Sequence, residues 1–282
     1  MQKRPLFPSA LALALAALFF ALPSCRKVYD FIHDHPDARD TLCRITTIST
    51  VGYFGNHDVY TVTYNTKGNP ISMLDASPVG TSGNIDQYFR YDRFNRLSDY
   101  MWTFIGAKGG VVAWHKYAYP RKNFVTDTTI SYIDVNVDTG ASPIAASLDY
   151  YTITGYTLDA HERIWKIWSI PNDPLQPPVL QTTISYDANG NLPLSDSTLA
   201  YDNKVNIYRT NKTWQFVYNN YSRNNVIKPG LFEPLPTYND FGLPLTLPNL
   251  TSNNIYYFLL VNSGPPMQIT YACSAPKGPV SY

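Results

Sequence analysis

The chain predicts an all-β protein: a large antiparallel meander of hairpins, forming an open sheet curled toward a half-barrel, with room for one short helix. Three observations predict it. Tyrosine, 23 residues in all, joins Thr, Val and Ile in short runs of strand length, and these residue types fit a pleated, half-buried surface. Gly, Asn, Asp and Pro break the runs again and again. A short signal recurs at the breaks: an apolar residue, any residue, Tyr, then Asp or Asn, with Gly or Asn three positions later.

The N-terminus comes first. Lys3 and Arg4 precede an unbroken apolar run, Ala10–Leu22, which ends at Pro23-Ser24-Cys25. Positive charge, an apolar stretch and a small residue before the cut make a secretory signal. The run is shorter than the roughly 20 residues that a membrane-spanning helix needs. Leu22-Pro23-Ser24-Cys25 resembles the lipobox of bacterial lipoproteins. The resemblance implies that residues 1–24 are removed and that Cys25 is acylated as the new N-terminus. It would then hold the protein on a membrane, each buried CH₂ being worth about 0.8 kcal/mol. An ordinary cleaved signal, with Cys25 left as a thiol, is the alternative.

Loss of the signal changes the charge. The chain has 22 Lys and Arg against 21 Asp and Glu. Removing Lys3 and Arg4 leaves 20 − 21 = −1, and no basic patch points to nucleic acid.

Residues 25–41 are charged, contain Pro36 and read as a tether. His33-Asp34-His35-Pro36-Asp37 has the HxHxD opening of the metallo-β-lactamase metal motif, but Ala38 stands where that motif requires histidine. Only His57, His115 and His161 follow. Metal sites need fixed ligands with a second shell, so neither metal nor cofactor is expected.

Residues 42–282 read as a single β domain, long enough for one core. Proline clusters at Pro171–Pro178, Pro229–Pro236 and Pro244–Pro248 mark loops and edges. The turn signal is clearest at Val62–Asn69, Phe89–Arg96 and Ile184–Asn191, and looser at Tyr156–Arg163, Leu199–Asn206 and Pro236–Leu243. Asp or Asn at the first turn position bonds the backbone ahead, and the Gly or Asn three residues on takes the left-handed conformation. Glu162 fills that left-handed place in the Tyr156 copy, which makes it the least secure turn. Val62 with Tyr64, Phe89 with Tyr91, Ile184 with Tyr186 and Leu199 with Tyr201 share one side of their strands. The alternate positions carry Thr, Ser and Arg, so one face is expected to be apolar and the other wet.

Asp202–Lys228 breaks the rhythm. Two readings stand for it: a short helix capped by Asn211 with Trp214, Val217, Tyr218 and Tyr221 on one side, or another aromatic strand with a polar loop.

The Tyr-Asp-x-x-Gly-Asn units resemble YD repeats of the Rhs type. The lipobox, tether, Cys43-Arg44-Ile45, scattered hairpins and terminal strand with Cys273 together resemble uncharacterised lipoproteins of Bacteroidota. The likeness covers nearly the whole mature chain and implies no catalytic residue. Large Rhs proteins build a shell around a toxin from dozens of repeats, which six irregular copies cannot do. Surface-exported Bacteroidota lipoproteins often carry an acidic run after the lipidated cysteine. Arg26-Lys27-Val28-Tyr29-Asp30 is not one. The expected address is therefore the outer membrane, facing the periplasm, with the cell surface as the alternative.

Of three cysteines, lipidation consumes Cys25 and leaves Cys43 and Cys273 in an oxidising compartment. They are expected to pair as a disulfide, or else to stay as two separate buried thiols. Motifs of nucleophilic, metal or nucleotide chemistry are missing: the chain has no GxSxG, HExxH, P-loop or GxGxxG. The functional expectation is a non-catalytic binding module for an apolar or carbohydrate ligand, with Trp165, Trp168 and Trp214 as candidate contacts. Trp165 and Trp168, three apart, should point to opposite faces of one strand. A structural partner of another envelope protein is the alternative. A glycoside-processing enzyme stands behind both, since carboxylate pairs assemble in space.

Overall fold

Asp and Asn at the turns do what their short side chains dictate. The computed structural model describes residues 43–51, 57–76, 85–104, 110–134, 151–229, 235–248 and 266–273; the signal, Cys25 and the tether lie outside the described residues. Asn65, Asp92, Asp159, Asp187 and Asn239 each accept, through Oδ1, the amides two and four residues ahead at 2.8–3.0 Å. The fourth residue of each turn is left-handed: Gly68, Asn95, Glu162, Gly190 and Gly242 have φ of 86°, 64°, 60°, 80° and 75°. Glu162 therefore closes its turn like the others. Its carboxylate is held by Lys212 at 2.8 Å, and the two amide bonds to Asp159 fix the backbone around it.

These turns string strands into a meander. In chain order they are β1 (Cys43–Val51), β2 (His57–Tyr64), β3 (Pro70–Asp75), β4 (Ile85–Tyr91), β5 (Leu97–Phe104), β6 (Gly110–Arg121), β7 (Phe124–Asp134), β8 (Tyr151–Leu158), β9 (Ile164–Ile170) and β10 (Val179–Thr183). Short strands β11 (Ala200–Tyr201), β12 (Val226–Ile227) and β13 (Thr246–Leu247) precede β14 (Met267–Cys273). Twelve of them form one open antiparallel sheet, in the order β10 to β1, then β14 and β13. The fold class read from the sequence is the fold that forms.

β14 and β1 pair as a hairpin whose turn has been cut. Tyr271 lies opposite Ile45 as Tyr64 lies opposite Pro70 and Tyr91 opposite Leu97. Where the other pairs have a turn, Cys273 lies opposite Cys43, and the two are joined at S–S 2.06 Å. A cross-link closing 230 residues is worth about 5 kcal/mol at most in the chain-entropy view.

The Leu199 copy does not close. Val205 falls where the other turns have their left-handed residue, and this β-branched side chain does not take that conformation. Asp202 keeps the first turn bond, from the Lys204 amide at 3.0 Å, but the chain then runs on. Its partner is Asn225, whose amide bonds Asp202 Oδ1 at 2.9 Å and whose carbonyl takes the Asp202 amide at 3.0 Å. Residues 203–224 are thus an insertion inside a turn, flanked by the paired ends Tyr201 and Val226. The insertion holds a 3₁₀ turn, Ile207–Thr210, and helix α1, Lys212–Val217, capped by Asn211 through the Thr213 amide. The helix reading of this segment holds, and the strand reading falls.

The insertion is the core of the sheet. Ile207, Tyr208 and Trp214 are fully buried among Ile45, Ile48, Val62, Met73, Phe89, Tyr100, Tyr117, Tyr156 and Ile164. Asn211 bonds the Gly68 carbonyl at 3.1 Å in the β2–β3 turn, while Lys212 holds Glu162 in the β8–β9 turn. Six strand spacings separate those turns, roughly 29 Å on a flat sheet at about 4.8 Å each. Two adjacent side chains cannot bridge that distance, so the sheet curls around the insertion. Its other face is not uniformly wet. Met101, Trp114 and Ile130 are buried there beside Tyr88 and Tyr151, because their neighbours in register share one face across β4–β8.

Candidate functional site

Among the described residues, the insertion's aromatic side chains pack into the interior of the sheet. Trp214, a candidate contact, is wholly buried. Its ring meets Phe89 edge-on at 5.1 Å, and Phe216 meets Tyr117 and Tyr156 edge-on at 5.1 and 5.7 Å. Trp214 is a core residue: helix α1 turns it into the sheet, where no ligand can stack on it.

Trp165 and Trp168 lie elsewhere. Ile164 and Ile167 of β9 join the core, and the two indoles do not. The expectation of opposite faces fails for a local reason. A bulge shifts the β8–β9 register between Leu158↔Ile164 and Thr157↔Lys166, so Trp165 is the extra residue and the alternation restarts after it. Lys166 then sits between the two rings, its ammonium 4.1 Å from the Trp165 centroid and 6.0 Å from that of Trp168. Both indoles are half-buried, and Trp168 Nε1 donates to Thr157 Oγ1 at 2.9 Å. Leu180 of β10, opposite Trp168, is 44 % exposed. The result is a strip of aromatic and aliphatic surface with one cation and the Thr157 hydroxyl. Its chemistry suits stacking against a sugar ring's C–H face with hydrogen bonds at the rim.

A second polar cluster, which the sequence did not signal, lines the core face. His115 Nδ1 and Asp127 Oδ2 are 2.9 Å apart, Thr129 Oγ1 lies 3.1 Å from the same nitrogen, and Tyr156 donates to Asp127 at 3.4 Å. Tyr100 and Tyr117 stack on the imidazole at 5.4 and 6.3 Å. Nearby, Gln87 Oε1 accepts from Tyr100 at 3.2 Å and from Tyr218. Burial, with Asp127 close by, pushes the Tyr117 hydroxyl well above its ordinary range. These contacts join residues on five strands and the insertion, and only strand alternation on each could have hinted at them. No serine or cysteine nucleophile joins the dyad among the described contacts, and its polar atoms satisfy one another as core groups must.

Among carboxylates, Asp75 and Asp86 lie on adjacent strands, where the Asp75 amide donates to Asp86 at 2.9 Å. Burial first, then the Asp75 charge, push the Asp86 carboxyl up against the pull of that amide. Among the described residues no group of three or more His, Cys, Asp or Glu is placed to hold a metal. Cys25 lies outside the described residues, and Cys43 and Cys273 are bridged. Comparison with protein-family models gives no match, and comparison with curated proteins gives none either.

Proposed function

We propose that this protein is a lipid-anchored, non-catalytic binding module of a bacterial envelope, and that the strip Trp165–Lys166–Trp168 meets a carbohydrate carrying negative charge. One observation carries the reading: two half-buried indoles stand outside the core with an ammonium between them. Indoles offer sugars a flat apolar face, and the lysine favours an acidic ring. The filled interior supports an external site over an enclosed one. The sequence supports the address, through the export signal and the lipobox at Cys25, with the outer membrane facing the periplasm as the proposed location.

The alternative, a structural partner of another envelope protein, draws on edge strand β10, all of whose residues are exposed. Pro177-Pro178 and the bulge after Leu180 blunt that edge against strand addition, so it ranks second. A glycoside-processing role would fall to Asp75 and Asp86 and has less support.

Thermal shift against acidic and neutral glycans tests the proposal. A ligand at 100 times its Kd adds about 2.7 kcal/mol of stability. Trp165→Ala and Trp168→Ala should each weaken binding at least tenfold, about 1.4 kcal/mol, with the fold intact. No shift with any glycan, or a shift indifferent to both replacements, removes the site. Cys25→Ser should leave the precursor uncleaved and without acyl chains, as read by mass spectrometry; normal cleavage would remove the anchor.

A further inference from the structure

We infer that the end of the sheet carrying the tight turns is a docking face for an anionic phospholipid surface. Antiparallel order brings the β2–β3, β4–β5, β6–β7 and β8–β9 turns and the Cys43–Cys273 junction to one end. Three acids there are already neutralised: Asp92 by Arg96, Asp159 by Arg163 and Glu162 by Lys212. Arg44, Lys67, Arg93, Arg121 and Lys122 remain, all exposed and none with an acidic partner among the described residues. In the two remaining turns and the insertion's base, Asp187, Asp202 and Asp240 stand against Lys204 and Arg223. Among the described residues the end keeps an excess of 5 − 1 = 4 positive charges, against −1 for the chain without residues 1–24.

Charge alone would suit any polyanion; an exposed aromatic at the tip selects a membrane. Phe94 is 63 % exposed, with the guanidinium groups of Arg93 and Arg96 at 4.6 and 5.2 Å from its ring. Phe241, at the matching place in its own turn, is 39 % exposed. An apolar ring flanked by cations can enter the headgroup layer while the cations meet lipid phosphates. A polyanion that offers no apolar or flat face, such as polyphosphate, has no use for the ring.

The inference rests on the proposed anchor for its setting. Cys43 lies at this end, 43 − 25 = 18 residues after the lipidation site. That length reaches at most roughly 60 Å, so the anchor permits contact without enforcing it. The cations and Phe94 supply what the tether lacks.

The test uses the acylated mature protein in vesicles. An environment-sensitive dye is placed on a new thiol by Thr66→Cys at the turn end, or by Leu175→Cys, 90 % exposed on the opposite β9–β10 connector. Position 66 should shift to an apolar spectrum in vesicles containing phosphatidylglycerol at low salt and revert at high salt, while position 175 stays aqueous. Each cation near an anionic leaflet counts for about fivefold in affinity. Replacing Arg93, Arg121 and Lys122 by alanine should therefore lower the docking constant roughly a hundredfold. Phe94→Ala should weaken docking with the salt dependence kept. An aqueous spectrum at position 66 on anionic vesicles, or a shift indifferent to lipid charge, overturns the inference. Flotation with phosphatidylcholine vesicles reads the anchor by itself, so a failed anchor and a failed docking face give different results.

Discussion

Several tyrosines near the strand ends have a job that their own turns do not reveal. Tyr91 donates to the Pro70 carbonyl at 2.8 Å, Tyr119 to Leu97 at 2.8 Å, Tyr186 to Ile164 at 3.1 Å and Tyr271 to Pro244 at 2.7 Å. Each acceptor is the first residue after an earlier turn. Tyr64 follows the rule by bonding Ile45 at 2.9 Å, just past the disulfide junction. Arginines closing those turns lie over the next tyrosine ring, Arg96 on Tyr119 at 4.2 Å and Arg163 on Tyr186 at 4.0 Å. Tyr91→Phe strands a partly buried carbonyl and loosens Thr213, whose Oγ1 lies 3.0 Å from the hydroxyl. It should cost about 1–2 kcal/mol. A urea curve with its midpoint lowered and its slope unchanged is the expected result, and an unmoved midpoint would show the hydroxyl to be idle. Asp, Asn and Gly were legible in the sequence because a turn is local. The hydroxyl's target was not, because it lies about twenty residues back, across a neighbouring strand.

At the scale of elements, the outcome turned on Val205. The sequence marked Leu199–Asn206 as a looser copy and Asp202–Lys228 as a break in rhythm, without showing that one causes the other. A turn that cannot place a β-branched residue in the left-handed region opens, and its excursion becomes the plug that the curled sheet needs. Trp214→Ala would leave a large void beside Phe89 and Tyr64. The expected loss is about 3–5 kcal/mol, with the glycan affinity proposed for Trp165 and Trp168 unchanged in whatever protein remains folded. Loss of glycan affinity with full stability would reverse the roles assigned to these tryptophans. The bulge in β9 illustrates the opposite limit. A single inserted residue overturns an alternation argument, and it recurs beside the turns: Ile71, Ser98 and Trp165 are each skipped in register one residue after their turn's closing pair.

For the whole molecule, the open sheet was legible from strand and turn periodicity, whereas its filled interior needed contacts between segments far apart in sequence. So many tyrosines in one core set its response to base. Burial pushes the hydroxyls of Tyr60, Tyr64, Tyr91, Tyr100 and Tyr156 upward, and raises Tyr119 to about 12. A folded pKa above the unfolded value of about 10 means that their contribution is fully present below pH 10. It is lost as pH rises toward the folded values. Stability should fall steeply above about pH 10, with tyrosinate absorbance and loss of β circular dichroism appearing together. Gradual ionisation with an intact spectrum would show that these hydroxyls reach water in the native state.

The cut hairpin has a consequence for the order of assembly. Under the proposed export, a chain crossing a membrane N-terminus first delivers β1 at the start, yet β1 lies inside the sheet, between β2 and β14. Its second neighbour is the last strand to arrive. Until then one long side of β1 lacks its partner, and the thiol of Cys43 must wait through more than two hundred residues for Cys273. Under the proposed acylation of Cys25 there is no other cysteine to choose, so the bond cannot form wrongly within one molecule. It can only form late. Oxidation of this pair is then a record of completion: a chain that stalls or loses its last strand keeps a free thiol at Cys43 where a finished one has none.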